Sequence, residues 1–432
     1  MQFKARALSW RKRIAFNGLM CLGICLLIET IAWIAMPFLI GSPRQLVQQR
    51  QAVAAQNPFV PGGSFVAAGV IHPYIGAVLQ PEDDRKPYSQ GNYRVTEFGF
   101  IDDDLPIHKR STRRVIVGIL GGSVARQFSV NASDVLAREL SRIPEFQGKE
   151  MKLVRLASNG YKQPQQLMII NYLSTLGAEF NILINLDGFN EAVLPSMDNI
   201  PFGVNSAYPR DWGKLIAGTA SPEFDRMGGY VTYLRSRQQS EAAALGRFPW
   251  NCSNIALLLW AVRKNRSDQA IMAQTMLMSR FSEEEQTYCS SGPPEHFNST
   301  DELYEHCIAL WSRSSILLHH LCAAQDIRYF HFLQPNQYLP GSKPIGLDEA
   351  SMAVDERSPH SIGVRACFPR MQTEGQRMAR AGVAFTDLTR VFAEHPEPIY
   401  IDKCCHVTEE GDVLMAKAIA ATIRDRISGA TP

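Results

Sequence analysis

Val115-Ile116-Val117-Gly118-Ile119-Leu120, closed by Gly121-Gly122-Ser123, is the stretch on which the fold turns. An unbroken apolar run of strand length, without alternation, is the pattern of a strand buried on both faces, as in a parallel sheet covered by helices. The glycine pair ends the run in a tight turn. Ser133 and Asp134 then open a helix whose Leu136, Leu140 and Ile143 fall on one face.

Outward from this unit the alternation repeats. Strands are expected at Lys152–Ala157, Phe180–Leu186, Ile327–Leu333 and Val383–Leu388, and helices over Gln163–Leu176 and Val413–Ile427. Strands alternating with helices predict an α/β fold, a mostly parallel sheet with helices on both sides. Between Asn190 and Ile327 the chain is far longer than one helical crossover needs. A helical insertion is therefore expected at about 195–300, with helical spacing over Asn254–Lys264 and Asp268–Phe281, and Glu302–Ala324 as the crossover helix. Such an insertion serves as a lid or binding wall, or as a scaffold against other subunits.

The first forty residues differ from the rest. Lys4, Arg6, Arg11, Lys12 and Arg13 precede an apolar stretch from Ile14 to Ile40, and Glu29 is its one charged residue. About 20 apolar helical residues cross a bilayer core. A cleavable signal is shorter, about 7–15 apolar residues before a small-residue site. Residues 14–40 therefore read as an uncleaved transmembrane anchor. The basic flank puts residues 1–13 in the cytoplasm and the remainder outside a bacterial-type inner membrane, in the periplasm or beyond. Glu29 is explained by a tilted or protonated helix, or by a polar contact with a partner membrane helix. Residues 41–62 read as a polar stalk, and 63–113 as an irregular, partly β preface to the main domain, which spans 63–432.

Composition agrees with a folded α/β protein. Of 432 residues, 45% are hydrophobic and 20% charged, with a formal net charge of +2, so bulk charge gives no reason to expect nucleic acid as a partner. Of the nine cysteines, Cys21 and Cys25 lie in the span. An oxidising compartment allows pairing among the others, with Cys252–Cys289 and Cys367 with Cys404 or Cys405 as candidates. No cysteine–histidine spacing suits zinc, and no cofactor is expected.

Ligands of a doubly wound sheet bind beyond the carboxyl ends of its strands. Three expected strands end in polar, glycine-rich turns: Gly121-Gly122-Ser123, Ser158-Asn159-Gly160, and Asp187-Gly188-Phe189-Asn190-Glu191. A fourth segment, Ile401-Asp402-Lys403-Cys404-Cys405-His406-Val407-Thr408, precedes the last helix, which Thr408 can cap. Together these residue types suit acyl transfer. A serine hydroxyl needs a base to take its proton, the base needs an orienting acid, and the tetrahedral intermediate needs aimed donors. Ser123, His406 and Asp402 fill the first three roles. The N–H groups of Ser123 and Gly160 and the amide of Asn190 fill the last. Taken singly, Asn190 reads better as a helix cap, Asp402 as a cap or an ion pair with Lys403, and His406 as a structural histidine, and only jointly, in this order, does the catalytic reading win.

In that order, the Ser123, Gly160, Asn190 and His406 blocks resemble the SGNH (GDSL-like) hydrolase superfamily over roughly residues 72–428. His72-Pro73-Tyr74-Ile75-Gly76, Phe98-Gly99-Phe100 and Phe332-Leu333-Gln334-Pro335-Asn336-Gln337-Tyr338 are similar to its membrane-anchored or secreted bacterial members. The resemblance implies a flavodoxin-like three-layer α/β/α sandwich and metal-free hydrolysis or transfer of carboxylic esters. Two departures stand out. The nucleophile block is Gly-Gly-Ser where the family has Gly-Asp-Ser, and Lys403 stands three residues before His406, where the family has its acid, with Asp402 one residue earlier. The expected function is that of an extracytoplasmic serine esterase or O-acyltransferase acting on an acetylated envelope or exopolysaccharide. The alternatives are a lipase or thioesterase for longer acyl chains, and an inactive envelope subunit with protein or polysaccharide partners. Gln334, Asn336 and Gln337 are candidate ligands of sugar hydroxyls, or loop caps. Trp212, Trp250 and Trp260 are stacking platforms, or core residues.

Overall fold

The computed structural model describes residues 10–55, 69–81, 93–213, 215–216, 222–284 and 288–429. The cations Lys4 and Arg6 and the end of the expected stalk lie outside these. The chain divides into two compact units. One comprises residues 63–220 and 285–432, and the other residues 1–62 and 221–284.

The larger unit is a mixed α/β fold. Two small antiparallel hairpins come first, β1 (Gly69–His72) with β2 (Gly76–Leu79), and β3 (Arg94–Val95) with β4 (Ile101–Asp102). They form the expected partly β preface. The central sheet has five parallel strands: β5 (Arg114–Gly121), β6 (Glu150–Arg155), β7 (Ile182–Asp187), β8 (Arg328–Leu333) and β9 (Ala384–Asp387). Their spatial order is β6-β5-β7-β8-β9. This is the flavodoxin-like order, whose switch point lies between the first and third strands of the sheet, here β5 and β7. Apart from Arg114, every β5 residue is buried, and β7 is buried throughout, as the continuous apolar runs require. Helices α3 (Ser123–Asn131), α4 (Ser133–Ser141), α5 (Gln165–Thr175), α6 (Phe189–Leu194), α9 (Thr300–Ala323), α10 (Pro359–Arg380) and α11 (Glu409–Ile427) cover the sheet.

A polar series crosses this apolar core. Ser315 bonds Nδ1 of His331, and Nε2 of His331 bonds Oδ1 of Asp187, each at 2.7 Å. The indole N–H of Trp311 donates to the same oxygen at 2.7 Å, and the Asn185 amide donates to the other. All five side chains are buried. Burial on this scale is tolerable because the carboxylate is met by donors on both oxygens.

In the smaller unit, α1 (Trp10–Leu39) is long and apolar enough to cross a membrane. Most of the described part of the segment read as a stalk is helical, as α2 (Pro43–Ala55). Its start follows from sequence: Pro43 takes the first helical position, and the Ser42 hydroxyl accepts the Gln45 N–H. The long insertion is α7 (Pro222–Ala244) followed by α8 (Asn254–Glu284), which is one helix where two were expected. Met36, Leu46, Val53, Ala242, Leu257 and Trp260 form this unit's core. The separate insertion is thus narrower than 195–300, because residues 195–213 and 288–300 belong to the sheet unit.

Candidate active site

β5 turns abruptly into α3 at its carboxyl end. Gly121 has φ +137°, and a Cβ there would lie 2.0 Å from the Leu186 carbonyl oxygen. Gly122 caps α3, and Ser123 is the helix's first residue. Its N–H is one of the groups that a helix N-terminus leaves without an internal partner. The neighbouring turn after β6 is tied alongside, with the Ser158 N–H donating to the Gly121 carbonyl at 3.3 Å.

The turn containing Gly160 is held from below by buried side chains. Tyr161 donates its hydroxyl to Ala77 at 2.7 Å, and the Lys162 ammonium donates to the carbonyls of Ser206 and Tyr208. Burial pulls the Lys162 pKa down to about 8. The turn after β7 locks onto the same segment. Asn190 donates from Nδ2 to the Tyr161 carbonyl at 2.7 Å, and Glu191 accepts the Gln163 and Gly188 N–H groups at 2.8 and 2.9 Å. Burial, reinforced by the nearby charge of Asp187, raises the Glu191 pKa to about 8. Glu191 therefore sets the geometry of the turn that carries Asn190, a role that reading the motif did not reveal.

Asn190 lies hard against the Gly121–Ser123 turn. A Cβ on Gly122 would come within 2.1 Å of its Nδ2. One Nδ2 hydrogen goes to the Tyr161 carbonyl. Among the described residues, no acceptor is found for the N–H of Ser123 or of Gly160. The N–H groups of Ser123 and Gly160 and the Asn190 amide lie on the three turns tied together here, by Ser158 to Gly121 and by Asn190 to Tyr161.

His406 arrives on the loop before α11. Its two limbs are paired, with Ile401 N–H to the His406 carbonyl at 3.0 Å and Thr408 N–H to the Ile399 carbonyl at 2.8 Å. Thr408 caps α11 by accepting the Gly411 N–H. Nε2 of His406 lies 2.8 Å from Oγ of Ser123, and its Nδ1 lies 2.5 Å from Oδ2 of Asp402. The other Asp402 oxygen accepts the N–H groups of Cys404, Cys405 and His406 at 2.9, 3.1 and 3.3 Å. Lys403 points outward, with Nζ 3.8 Å from Asp355.

Burial alone would depress the His406 pKa, but the hydrogen bond and charge of Asp402 outweigh it and raise the value above the ordinary one. For Asp402, burial pushes upward, and the bonds from His406 and the loop N–H groups prevail, holding its pKa below the usual carboxylate value. The pair is therefore set to exchange a proton with a hydroxyl at Nε2 while the carboxylate stays charged.

The Ser123 side opens into a cleft of about 600 Å³, lined by Arg126, Gln127, Asn131, Asn159, Ile401 and Val407 among others. Arg126 donates to Asn159 Oδ1 at 3.3 Å across it. Gln334 and Asn336, expected to meet substrate, do not line this cleft. Both are buried, and Asn336 donates to the Cys404 carbonyl at 3.4 Å. Gln337 donates to the Asp402 carbonyl at 3.0 Å and Tyr338 to the Lys403 carbonyl at 2.7 Å. The Gln334–Tyr338 segment is thus the bracket of the histidine loop, since amides buried beside a loop's orphan carbonyls satisfy those carbonyls first. Trp212 donates its indole N–H to Cys289, Trp260 is core, and Trp250 is exposed.

All nine cysteines are free in this structure, and Cys367 is not paired with Cys404 or Cys405 as considered from sequence. Cys404, Cys405 and His406 bring possible metal-ligand atoms within 4.8 Å of one another. Both His406 nitrogens are already engaged by Asp402 and Ser123, so a metal there would dismantle the series.

Compared with known proteins, the chain matches no family profile and no curated protein sequence.

Proposed function

We propose that the protein is a serine esterase or O-acyltransferase of SGNH type, with Ser123 as nucleophile, His406 as general base and acid, and Asp402 as the orienting carboxylate. The observation that carries this reading is the unbroken series from Asp402 through His406 to Ser123, at the first residue of a helix that follows a sheet strand.

In the first half-reaction Oγ of Ser123 adds to the ester carbonyl carbon while its proton passes to Nε2 of His406. The carbonyl oxygen becomes an oxyanion facing the Ser123 and Gly160 N–H groups and the Asn190 amide. As the ester C–O bond breaks, His406 returns the proton to the departing alkoxide, leaving an acyl-serine. In the second half-reaction a water or an acceptor hydroxyl loses its proton to His406, attacks the acyl carbon and releases Ser123. Hydrolysis and transfer differ only in that acceptor.

The hydrogen-bonding side chains in the cleft, Arg126, Gln127, Asn131 and Asn159, favour a polar, hydroxyl-bearing carrier such as a carbohydrate, and Val130, Ile401 and Val407 give a short acyl group an apolar contact. The N-terminal helix, apolar from Ile14 to Ile40 behind a basic flank, supports a single-pass anchor with the acyl chemistry on the extracytoplasmic side.

A fluorophosphonate probe tests the reading. The full-length wild-type protein should label, Ser123→Ala should not, and acetyl esters should turn over faster than long-chain ones. A folded wild type that never labels would instead support an inactive binding subunit.

A further inference from the structure

Glu29 lies inside the apolar stretch of α1, and its partner belongs to the same chain. Its carboxylate accepts the hydroxyl of Ser253 and the backbone N–H groups of Asn254 and Ile255, the first residues of α8. A carboxylate there satisfies orphan donors and meets the positive end of the helix dipole. From that point α8 runs beside the rest of α1, with Met36 and Ile40 joining Leu257, Trp260 and Ala261 in one cluster. The loop between α7 and α8 is therefore held at the level of Glu29.

That level lies inside a bilayer. The stretch from Ile14 to Ile40 is about 40 Å long at a rise of about 1.5 Å per residue, and a hydrocarbon core is only about 30 Å thick. Counted from Ile14, just after Arg13, the core ends near Trp33. Glu29 is one turn earlier, about 6 Å inside that boundary.

Apart from Arg247, exposed beside Phe248, and Arg50, whose guanidinium donates to the Ala242 carbonyl, the loop has the chemistry for such a depth. Phe248 is 83% exposed and Trp250 59%, close to the 56% of Trp33, and Leu259 on the first turns of α8 is also exposed. No Asp or Glu occurs from Ala242 to Ser267. The exposed cations Arg263 and Arg266 follow on α8, roughly 14–18 Å beyond Asn254 along the helix. That places them at headgroup height, where basic residues meet anionic lipid.

We infer that the α7–α8 hairpin tip, residues 245–259, is a second membrane-binding element. It sits in the leaflet at the C-terminal end of α1, with Phe248 and Trp250 among acyl chains, Leu259 at the edge of the hydrocarbon core, and Arg263 and Arg266 at anionic headgroups. The inference rests on the proposed anchoring by α1. The partner is lipid, and Glu29 sets the depth of insertion.

The test is photolabelling of the full-length chain in phosphatidylcholine–phosphatidylglycerol vesicles carrying a diazirine phospholipid, with the diazirine on the acyl chain. After digestion, label is expected both on α1 peptides and on the peptide containing Phe248 and Trp250. A Phe248→Asp/Trp250→Asp variant should keep the α1 label and lose most of the tip label. Label confined to α1 overturns the inference and leaves the anchor standing, whereas a chain unlabelled in both regions overturns both.

Discussion

Asp402 gives one carboxylate oxygen to three consecutive backbone N–H groups and the other to Nδ1 of His406, 2.5 Å away. The first set of bonds folds the loop around the carboxylate. This fold lets an acid four residues before the histidine reach the same ring nitrogen as one three residues before it. It also turns Lys403 outward. Asp402→Asn should lower kcat by up to about 10⁴-fold, because the amide cannot hold the imidazolium. The pH profile supplies a second readout. His406 must be neutral to act as base, and Asp402 raises its pKa, so the acid limb of kcat/KM in the wild type should lie above the ordinary imidazole value of about 6.5. With the raising partner gone, burial dominates and the limb should move to lower pH. An unmoved limb would deny the pairing its role.

Gly122 and Asn190 give a second prediction. A Cβ at 122 would sit 2.1 Å from Nδ2 of Asn190, so Gly122→Ala must displace the amide or the turn. Loss of one oxyanion donor costs about 10²–10³ in kcat. Gly122→Ala and Asn190→Ala should each fall by about that much, and the double variant by little more than either, since both remove one group. Additive losses would mean that Gly122 acts by some other route.

Much of this site was legible because its chemistry sits at strand ends. An apolar run that stops at Gly121-Gly122-Ser123 places a serine at the sheet's edge before any coordinates are known, and the turns at Ser158–Gly160 and Asp187–Glu191 follow the same rule. The residues that hold those turns were not legible. Glu191 and the Gln334–Tyr338 segment act through bonds to backbone groups remote in sequence, and such bonds leave no periodic trace. Glu29 is the extreme case, since its partners Ser253, Asn254 and Ile255 lie more than 220 residues away. The polar Asn265-Arg266-Ser267 step in α8 read as a helix break, yet it carries no Gly or Pro to force one.

The buried Ser315–His331–Asp187 series copies the order of the Ser123–His406–Asp402 series proposed as catalytic, but all its side chains are buried. Its task is to satisfy polar groups within the core. Ser315→Ala should therefore leave fluorophosphonate labelling and turnover at wild-type levels. Asp187→Ala strands the donors of Trp311, His331 and Asn185 at once, and should destabilise the fold by about 3–5 kcal/mol. A drop in labelling for Ser315→Ala with unchanged stability would contradict this division of roles.

Asp412 gives a prediction for stability against pH. It is buried at the start of α11, where Oδ2 accepts from Asn131 at 2.8 Å and Gln127 at 3.2 Å, and Oδ1 has no partner among the described residues. Burial raises its pKa to about 7, with the two amide bonds opposing. An unfolded chain releases this proton near the ordinary value of about 3.9. Between those values the native state holds more proton than the unfolded one, so stability falls as pH rises from about 4 to about 7, and this contribution is level above 7. Asp412→Asn keeps an acceptor for Asn131 and Gln127 and removes the titration. The difference in thermal unfolding temperature between variant and wild type, measured on the full chain in detergent, should therefore grow in the variant's favour from pH 4 to 7 and then stay constant. Parallel profiles across that window would show that the Asp412 carboxyl titrates alike in both states.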